Sequence, residues 1–340
     1  MAFALCALFV GLLLFGGGLW WLHQPMRLVP PVSKATGPAI DLEIEPGTSA
    51  SGAVEAVVRS GIAEPELLLN AWFRFSGQAR LIRAGSYEVL PGTTPRQLLS
   101  MLVRGEEALK SVTLVEGWNF VQVRAALLKA ENLTPESAEL APDAIMQKLG
   151  RAGQHPEGRF FPDTYTYAKG SSDLAVLARA ARAMDKRLEA AWQARSSTSP
   201  LTTPEQALIL ASIVEKETGK PTDRAQIAGV FANRLRIGML LQTDPTVIYG
   251  MGSSFDGNLR RRDLQLDTPY NTYTRPGLPP TPIAMPGRAA LLAAVQPAST
   301  DALYFVARGD GSSAFSRTLE EHNRAVNHYI RGLPRAGTAP

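Results

Sequence analysis

The stretch LILASIVEKETG, residues 208–219, places two glutamates, Glu215 and Glu217, at the end of an otherwise apolar run. Apart from Ser212, every residue from 207 to 214 is apolar, and a helix that is apolar on all sides belongs in a protein core. Burying an unpaired carboxylate is expensive, so two acids at this position need a chemical or structural reason. The stretch therefore predicts a buried helix that carries functional carboxylates.

The residues on either side predict the limits of this helix. Thr203 has the side chain of an N-cap, Pro204 fits the first helical position, and Gln206 closes a capping box with Thr203. Gly219 is typical of a helix end. We therefore expect a helix that begins at Pro204 and ends just before Gly219.

The two glutamates point in nearly opposite directions, because residues two apart on a helix differ by about 200°. Apolar neighbours raise the pKa of a carboxyl group, and so does the negative end of the helix dipole. A general acid needs such a raised pKa at neutral pH, which favours Glu217. The alternative is that one or both glutamates are exposed and balanced by Lys216. The neighbours are Leu210, Ile213 and Val214 for Glu217, and Ala211 and Ser212 for Glu215.

Polar and aromatic side chains are concentrated on the predicted loops that follow this helix. Amides and carboxylates bind sugar hydroxyls, and flat aromatic rings bind the face of a pyranose. Each of these residues alone is typical of a cap or a turn, but together they predict a sugar-binding cleft. They are Gln242, Thr243, Asp244, Thr246, Tyr249, Tyr270, Asn271 and Tyr273.

The composition excludes several other chemistries. Cys6 is the single cysteine, so no disulfide and no cysteine-based metal site is expected. The four histidines are scattered without an HExxH motif, and neither a Walker A loop nor a GxSxG elbow is present. We therefore expect no metal. The net charge is +4, but the sequence has no stretch in which basic residues alternate with aromatic ones. Nucleic acid is therefore not an expected partner.

An apolar N-terminal run predicts a transmembrane anchor over residues 1–22. No charged side chain occurs between Ala2 and Leu22, and about 20 helical residues cross the ~30 Å hydrocarbon core of a bilayer. A cleaved signal peptide is the alternative, but the run lacks a basic start and a small-residue cleavage site. Arg27 and Lys34 follow the run, so the positive-inside rule alone would place the rest of the chain in the cytoplasm.

The rest of the chain, with 45% hydrophobic residues, predicts an α+β protein. Residues 23–39 are Pro-rich and predict a stiff tether. Residues 40–107 follow the order strand, helix, helix, strand, helix, which is typical of a small domain. Residues 108–333 combine helices, a Pro/Gly-rich loop at 270–287 and two strands before a last helix, and residues 334–340 form a tail. Two further helix starts are predicted from Thr94 with Pro95 and from Thr318 with Glu321.

Longer motifs contain most of these features: LVEGWNF (114–120), EGRFFPDTYTY (157–167), ASIVEKET (211–218), NRLRIGMLLQTDPTVIYGMG (233–252), YNTYTRPGLPP (270–280) and LYFVARGDGSSAFSRTLEEHN (303–323). Together they resemble the endolytic murein transglycosylases of the MltG, or YceG-like, family. The resemblance extends over nearly the whole chain, in the order membrane anchor, LysM-like small domain at 40–107, and larger α+β catalytic domain at 108–333. It implies a single-pass inner-membrane protein whose catalytic domain faces the periplasm.

The resemblance also implies an activity. Proteins of this family cut the glycan strands of peptidoglycan and leave a 1,6-anhydro-N-acetylmuramoyl end, and no metal or organic cofactor is implied. The catalytic glutamate of the family corresponds to Glu217, in agreement with the helix-face argument. Peptidoglycan synthases become candidate partners. The expected substrate-binding residues are Gln242, Asp244, Thr246, Tyr270, Asn271 and Tyr273.

Two other classes of function remain open from the sequence. A non-catalytic peptidoglycan-binding membrane protein of cell-wall synthesis would keep the small domain and the polar loops but would not need Glu217. A hydrolase could use Ser212 and Lys216, which lie one helical turn apart. However, a serine in an apolar helical run is more typical of a satisfied core hydroxyl. The masses of the glycan products distinguish these possibilities.

Overall fold

The computed structural model describes residues 16–29, 40–106, 109–217 and 220–332. This part of the chain is a mixed α+β protein, as predicted, and it divides into two compact units. The first unit contains the described residues up to Lys110 together with Thr166–Gly170. The second contains Ser111–Tyr165 and the described residues from Ser171 onward. The chain passes from one unit to the other within β3 (Leu109–Thr113), within β4 (Thr164–Ala168), which pairs with β3, and again after Gly170.

The first unit has the predicted order of elements. An antiparallel pair, β1 (Ile40–Ile44) and β2 (Gly85–Val89), sets Ile40 opposite Val89. Alternate residues of β1 are buried, because successive side chains of a strand point to opposite faces and one face covers the core. The helices are α2 (Ala50–Arg59), α3 (Glu66–Phe75) and α4 (Pro95–Arg104), and α4 begins with the predicted cap at Thr94.

The chain before β1 packs on the first unit. Residues 16–21 are helical (α1), and no described helix is long and apolar enough to cross a membrane. The anchor prediction falls mostly on residues 1–15, which lie outside the described residues. Within residues 23–29, predicted as part of a tether, Met26 instead joins the core of the unit: it is buried and donates its N–H to the Thr93 carbonyl at 2.9 Å. The segment packs against the unit at Met26, because burial in the core removes this apolar side chain from water.

The second unit is built around the helix that the opening stretch predicts. This helix, α8 (Pro204–Glu217), packs against α7 (Asp173–Gln193), α9 (Pro221–Arg236), α10 (Asp244–Met251) and α12 (Arg288–Val295). Every residue from Ala207 to Val214 is buried, so the prediction of a core helix is confirmed. The remaining helices are α5 (Phe120–Lys129), α6 (Pro142–Lys148), α11 (Arg261–Gln265) and α13 (Leu319–Val326).

At the start of α8, the predicted N-cap at Thr203 is confirmed, but the predicted reciprocal capping box with Gln206 is not. The Thr203 hydroxyl accepts the N–H of Gln206 at 3.2 Å, as an N-cap does. However, the Gln206 side chain accepts the N–H of Thr202 at 2.7 Å, whereas a reciprocal capping box would require it to accept that of Thr203. Gly219, the predicted end, lies outside the described residues.

The last part of the second unit is a hairpin followed by a helix. Residues 270–287 contain no helix or strand, as predicted for the Pro/Gly-rich loop. Strand β5 (Tyr304–Ala307) pairs antiparallel with β6 (Ser313–Ser316), and α13 begins with the predicted capping box of Thr318 and Glu321. The hairpin and α13 thereby bring residues late in the sequence to the end of α8.

Candidate active site

Glu217, the last described residue of α8, borders a cavity of about 350 Å³ in the second unit. The cavity is lined by side chains from α8, α9, the loop before α10 and the first residue of α10, the Pro/Gly-rich loop, β5 and α13. Its lining consists of Glu217, Arg234, Gln242, Asp244, Tyr273, Tyr304, Phe305, Leu319 and His322. Four of the seven predicted site residues are therefore brought together here: Glu217, Gln242, Asp244 and Tyr273.

The environment of Glu217 favours the protonated form of its carboxyl group. Burial raises the pKa of this carboxyl group to about 7. The hydroxyl of Thr243 donates a hydrogen bond to Glu217 Oε1, which acts in the opposite direction by favouring the anion. Nearby Asp244 raises the pKa further, and Arg234 lowers it. Because desolvation is the largest of these effects, a substantial fraction of Glu217 is protonated at neutral pH.

An unusual backbone conformation positions the residues next to Glu217. Gln242 has a φ of +49°, a left-handed value that residues other than glycine rarely adopt. Its N–H donates to the Thr272 carbonyl at 3.1 Å, and the N–H of Thr243 donates to the Thr272 hydroxyl at 3.1 Å. As a result Thr243 is buried and reaches Glu217, whereas Gln242 and Asp244 are exposed at the cavity.

Arg234 connects three parts of this site. Its Nε donates to the Leu303 carbonyl at 2.7 Å, and its Nη1 donates to the Leu241 carbonyl at 2.7 Å. The guanidinium also lies over the Tyr304 ring, 5.3 Å from its centroid. Burial lowers the pKa of Arg234, while Tyr304, Tyr273 and Glu217 act to raise it. Arg234 thus fixes the loop that leads to Thr243 and supplies a positive charge beside the carboxyl group.

The sequence analysis missed Arg234 as a site residue, although a signal was present. Arg234 follows Val230 and Phe231 by four and three positions, so it lies on the apolar face of α9. A charged side chain on a buried helix face has to be paired or hydrogen-bonded.

Tyr273 and Asp244 form a second polar pair in the cavity. The Tyr273 hydroxyl donates to Asp244 Oδ1 at 2.5 Å. Burial raises the pKa of Tyr273, and so does its hydrogen bond to Asp244, so the phenol keeps its proton. The pair presents one exposed carboxylate and one aromatic ring, which is the combination expected for a sugar.

Three predicted substrate-binding residues do not line the cavity. The Thr246 hydroxyl donates to the Thr243 carbonyl at 2.7 Å, and the Asn271 amide donates to the Leu266 carbonyl at 2.7 Å. The Tyr270 hydroxyl pairs with that of Thr281 at 2.8 Å. Thr246 and Asn271 are fully buried, and their hydrogen bonds to backbone carbonyls stabilise the chain segments that carry Asp244 and Tyr273. These residues were predicted to bind substrate because they lie close in sequence to other site residues. Sequence position does not determine the direction in which a side chain points.

His322 and Tyr304 enter the site from the end of the chain. Their rings stack with centroids 5.3 Å apart. Burial lowers the pKa of His322, and the charge of Arg234 acts in the same direction, so the imidazole is neutral at neutral pH. Both residues belong to the motif at 303–323, but nothing in their spacing indicated a position beside α8.

Another buried acid, Glu157, lies outside the cavity. It is 3% exposed, and burial raises its pKa to about 7. It accepts the N–H of Phe120 at 3.0 Å and the hydroxyl of Tyr249 at 3.1 Å. Phe120 begins α5 and Tyr249 lies in α10, so Glu157 connects two helices without facing the cavity.

Glu215 has a different environment from Glu217 and does not line the cavity. Its Oε2 accepts the N–H of Gly287 at 2.9 Å, and its Oε1 lies 3.9 Å from Nη2 of Arg224. Burial raises its pKa; the Gly287 hydrogen bond lowers it and Glu116 raises it. Glu215 therefore holds the loop before α12.

Ser212 has the surroundings of a core hydroxyl. It is fully buried, donates to the Ile209 carbonyl at 2.7 Å and accepts the N–H of Ile283 at 3.0 Å. The exposed Lys216 donates instead to the Gly117 carbonyl at 3.3 Å. The two side chains do not form the pair that the hydrolase alternative needs. Within the described residues, no group of three or more His, Cys, Asp or Glu residues is placed to hold a metal ion.

Comparison with known proteins agrees with the motifs. An endolytic murein transglycosylase of Bacillus subtilis is 30% identical over 320 residues, which cover 89% of this chain and 88% of that protein. One from Streptococcus pneumoniae is 26% identical, and the match covers 97% of this chain and 65% of that protein. A 2.6 Å crystal structure of a YceG-like protein from Listeria monocytogenes has a TM-score of 0.53 at 27% identity, covering 85% of this chain and 99% of that one. The model of the YceG-like family matches residues 42–328, and the chain therefore belongs to the YceG-like family.

Proposed function

We propose that the protein is an endolytic lytic transglycosylase, which cuts the bond between N-acetylmuramic acid and N-acetylglucosamine within peptidoglycan strands. The observation that carries this proposal is that Glu217, a largely buried glutamate with a pKa raised to about 7, lies at the edge of a polar and aromatic cavity. The relatives in Bacillus subtilis and Streptococcus pneumoniae are named for this reaction.

The first step is general acid catalysis by Glu217. The Thr243 hydrogen bond occupies Oε1, so Oε2 carries the acid proton toward the cavity. Glu217 donates this proton to the glycosidic oxygen, the bond from that oxygen to C1 of N-acetylmuramic acid breaks, and positive charge develops at C1. Arg234 stabilises the carboxylate that remains.

The second step returns the proton to Glu217. The oxygen of the 6-hydroxyl of the same sugar attacks C1, and the hydroxyl gives its proton to the carboxylate. The new bond between this oxygen and C1 closes the 1,6-anhydro ring, and no water takes part. An intramolecular nucleophile has a high effective concentration, so a second carboxylate is not needed to activate a water molecule. A lone acid can therefore complete the reaction.

The other cavity residues bind the glycan in this proposal. Gln242 and Asp244 are exposed and offer an amide and a carboxylate to sugar hydroxyls, and Tyr273 offers an aromatic ring. Tyr304 and His322 supply a stacked pair on another side of the cavity. Thr246, Tyr270 and Asn271 act indirectly, by folding the loops.

The first unit is a candidate LysM-like module that captures the strand. It contains a groove of about 900 Å³ whose lining includes Asn70, Arg74, Phe75 and Arg80. An amide, an aromatic ring and two cations suit a glycan that carries acidic peptides. Two linked sites raise apparent affinity through effective concentration.

We place the protein in the inner membrane through residues 1–22, with both units in the periplasm. The support is the uncharged N-terminal sequence and the fact that peptidoglycan, the proposed substrate, lies outside the cytoplasm. In this location the enzyme would terminate or trim nascent strands, with peptidoglycan synthases as candidate partners.

Mass analysis of glycan products tests the function. Intact sacculi treated with the full chain should release fragments with anhydro ends, and Glu217→Gln should release none, because an amide cannot donate the proton. Loss of general acid catalysis costs on the order of 10²–10⁴ in rate. The matched control is Lys216→Gln, which changes the adjacent exposed residue and should keep the activity.

Other outcomes would contradict the proposal. Reducing-end products would indicate a hydrolase. Glycan binding without products would indicate the non-catalytic alternative. Normal activity in Glu217→Gln would show that another residue is the acid.

A further inference from the structure

The first unit carries an exposed apolar surface formed by α1 and α3. On α3, Leu67 and Phe75 are 81% and 85% exposed, and on α1 Trp20 is 67% exposed. Leu68, Trp72 and Phe75 recur at helical spacing, so they lie along one face of α3. A groove of about 370 Å³ lies between this face of α3 and α1, and side chains of both helices line it. We call this surface the apolar face; it consists of Leu19, Trp20, Leu67, Leu68, Trp72 and Phe75.

The position of α1 beside α3 is fixed by specific contacts. The indole N–H of Trp21 donates to Glu64 Oε2 at 2.9 Å, and the N–H of Arg27 donates to Glu64 Oε1 at 3.1 Å. Leu22 is buried directly after the helix. The direction in which α1 leaves the first unit is therefore determined by the fold of that unit.

The chain that precedes α1 is apolar in sequence. None of the fifteen residues before Gly16 has a charged side chain. Under the proposed function this chain inserts in the membrane, so the point at which it meets the bilayer lies next to the apolar face. Tryptophan and leucine side chains beside such a point are typical of an interfacial surface, which buries its apolar side among lipid headgroups and upper acyl chains.

Basic residues near the apolar face match the charge of phospholipids. The Nδ1 of His23 lies 2.9 Å from the Leu19 carbonyl at the end of α1, and Arg96 places Nη1 3.3 Å from Nε2 of the same histidine. Arg74 precedes Phe75 at the end of α3. All three side chains are exposed, and arginines next to a bilayer are attracted by anionic headgroups.

We propose that the apolar face lies in the surface of an anionic phospholipid bilayer, so that the first unit rests on the membrane beside its anchor. This inference rests on the anchor in the proposed function. A glycan strand fits this face less well, because leucine side chains offer no partner to sugar hydroxyls. The groove lined by Asn70 and Arg80 also includes Leu67, Arg74 and Phe75, so lipid and glycan would compete for these side chains, and the experiment below distinguishes the two occupants.

Site-specific fluorescence in bilayers tests the proposal. The full chain carries Cys6→Ser and one new cysteine, Leu67→Cys or Phe75→Cys, labelled with the environment-sensitive dye NBD. The control is Leu90→Cys, because Leu90 is 57% exposed in the same unit but lies outside the apolar face. Each protein is reconstituted in bilayers of phosphatidylethanolamine and phosphatidylglycerol. Dyes at 67 and 75 should be several-fold brighter than the dye at 90, and spin-labelled lipid should quench them.

Charge variants test the lipid preference. Arg74→Ala and Arg96→Ala should each lower the ratio of docked to undocked protein by about fivefold in anionic bilayers. In phosphatidylcholine bilayers they should have little effect. These residues are exposed, and melting curves establish that the variants remain folded.

Three results would overturn the proposal. One is equal emission from 67, 75 and 90 in protein that floats with the bilayers. Another is a response at 67 and 75 to soluble glycan strands but not to lipid, which would make the apolar face a glycan surface. The third is protein that does not float at all, which would remove the anchor as well. The release of anhydro products, measured on the same samples, separates these failures from a failure of the proposed enzymatic activity.

Discussion

At the scale of single residues, the site depends on how opposing effects on one carboxyl group combine. Burial raises the pKa of Glu217, and the Thr243 hydroxyl and Arg234 lower it. A fully exposed glutamate would be ionised at neutral pH and could not act as an acid, whereas a buried and unpartnered one would not stabilise the anion formed in the reaction. The hydrogen bond from Thr243 and the charge of Arg234 supply that stabilisation.

The pH dependence of the reaction should reflect this balance. Because the acid must be protonated and its pKa is about 7, kcat/KM should fall about tenfold per pH unit well above pH 7. Thr243→Val removes a hydrogen bond that favours the anion, so the fall should move to higher pH. Profiles of kcat/KM against pH measure both effects. A wild-type profile that stays flat up to pH 9 would contradict the assignment of Glu217.

At the scale of helices and strands, close contacts determine where the site residues lie. Arg234 reaches the cavity because α9 approaches the chain at 298–300, and Gly229 permits that approach. A Cβ atom at Gly229 would come within 2.7 Å of the Ala298 carbonyl oxygen. Glu157 similarly joins the first residue of α5 to the middle of α10.

Gly229→Ala should destabilise the protein. Alanine is favoured over glycine in a helix by up to about 1 kcal/mol, but overpacking against a backbone oxygen costs about 1–3 kcal/mol, so the net effect should be a loss. The midpoint of urea unfolding measures it. Gln226→Ala, at an exposed position of the same helix, is the control and should stay within about 0.5 kcal/mol. An unchanged midpoint in Gly229→Ala would mean that α9 can move away from residue 298.

Glu157 should make stability depend on pH. Its pKa is about 7 in the folded protein against 4.5 in the unfolded chain, so between these values the folded state binds the proton more tightly. Stability should therefore fall as the pH rises through this window, by on the order of 3 kcal/mol in total. Melting curves between pH 5 and pH 7 should show a smaller change for Glu157→Gln than for the wild type. The same slope in both proteins would show that Glu157 does not titrate in this range.

At the scale of the whole molecule, the first unit gives the N-terminal segment a structural role. Leu22 and Met26 are buried, and Leu28 forms a bridge with Ile62. The end of the proposed anchor and the segment that follows it are thus partly components of the first unit. A spacer alone would not bury these side chains.

Two truncations should therefore behave differently. Removal of residues 1–15 takes away uncharged sequence before α1 and should leave the melting midpoint unchanged. Removal of residues 1–38 also takes away Met26 and Leu28 from the core of the first unit, and it should lower the midpoint. Calorimetry of both proteins measures the difference. Equal midpoints would show that the first unit does not depend on residues 16–29.

Local patterns in the sequence determined much of the fold. The apolar run at 207–214 required a buried helix, alternation at 40–44 gave a half-buried strand, and the capping residues Thr94 and Thr318 fixed helix starts. The helix faces also distinguished Glu217 from Glu215. These features were predictable because helix and strand periods and caps depend on residues a few positions apart.

Only the tertiary structure decided which side chains surround Glu217. Thr243 reaches it because Gln242 adopts a left-handed backbone held by Thr272, and His322 arrives on α13, more than a hundred residues further along the chain. Thr246 and Asn271 turn inward because buried carbonyl groups need donors. Such directions depend on packing between distant segments, and spacing along the chain does not contain that information.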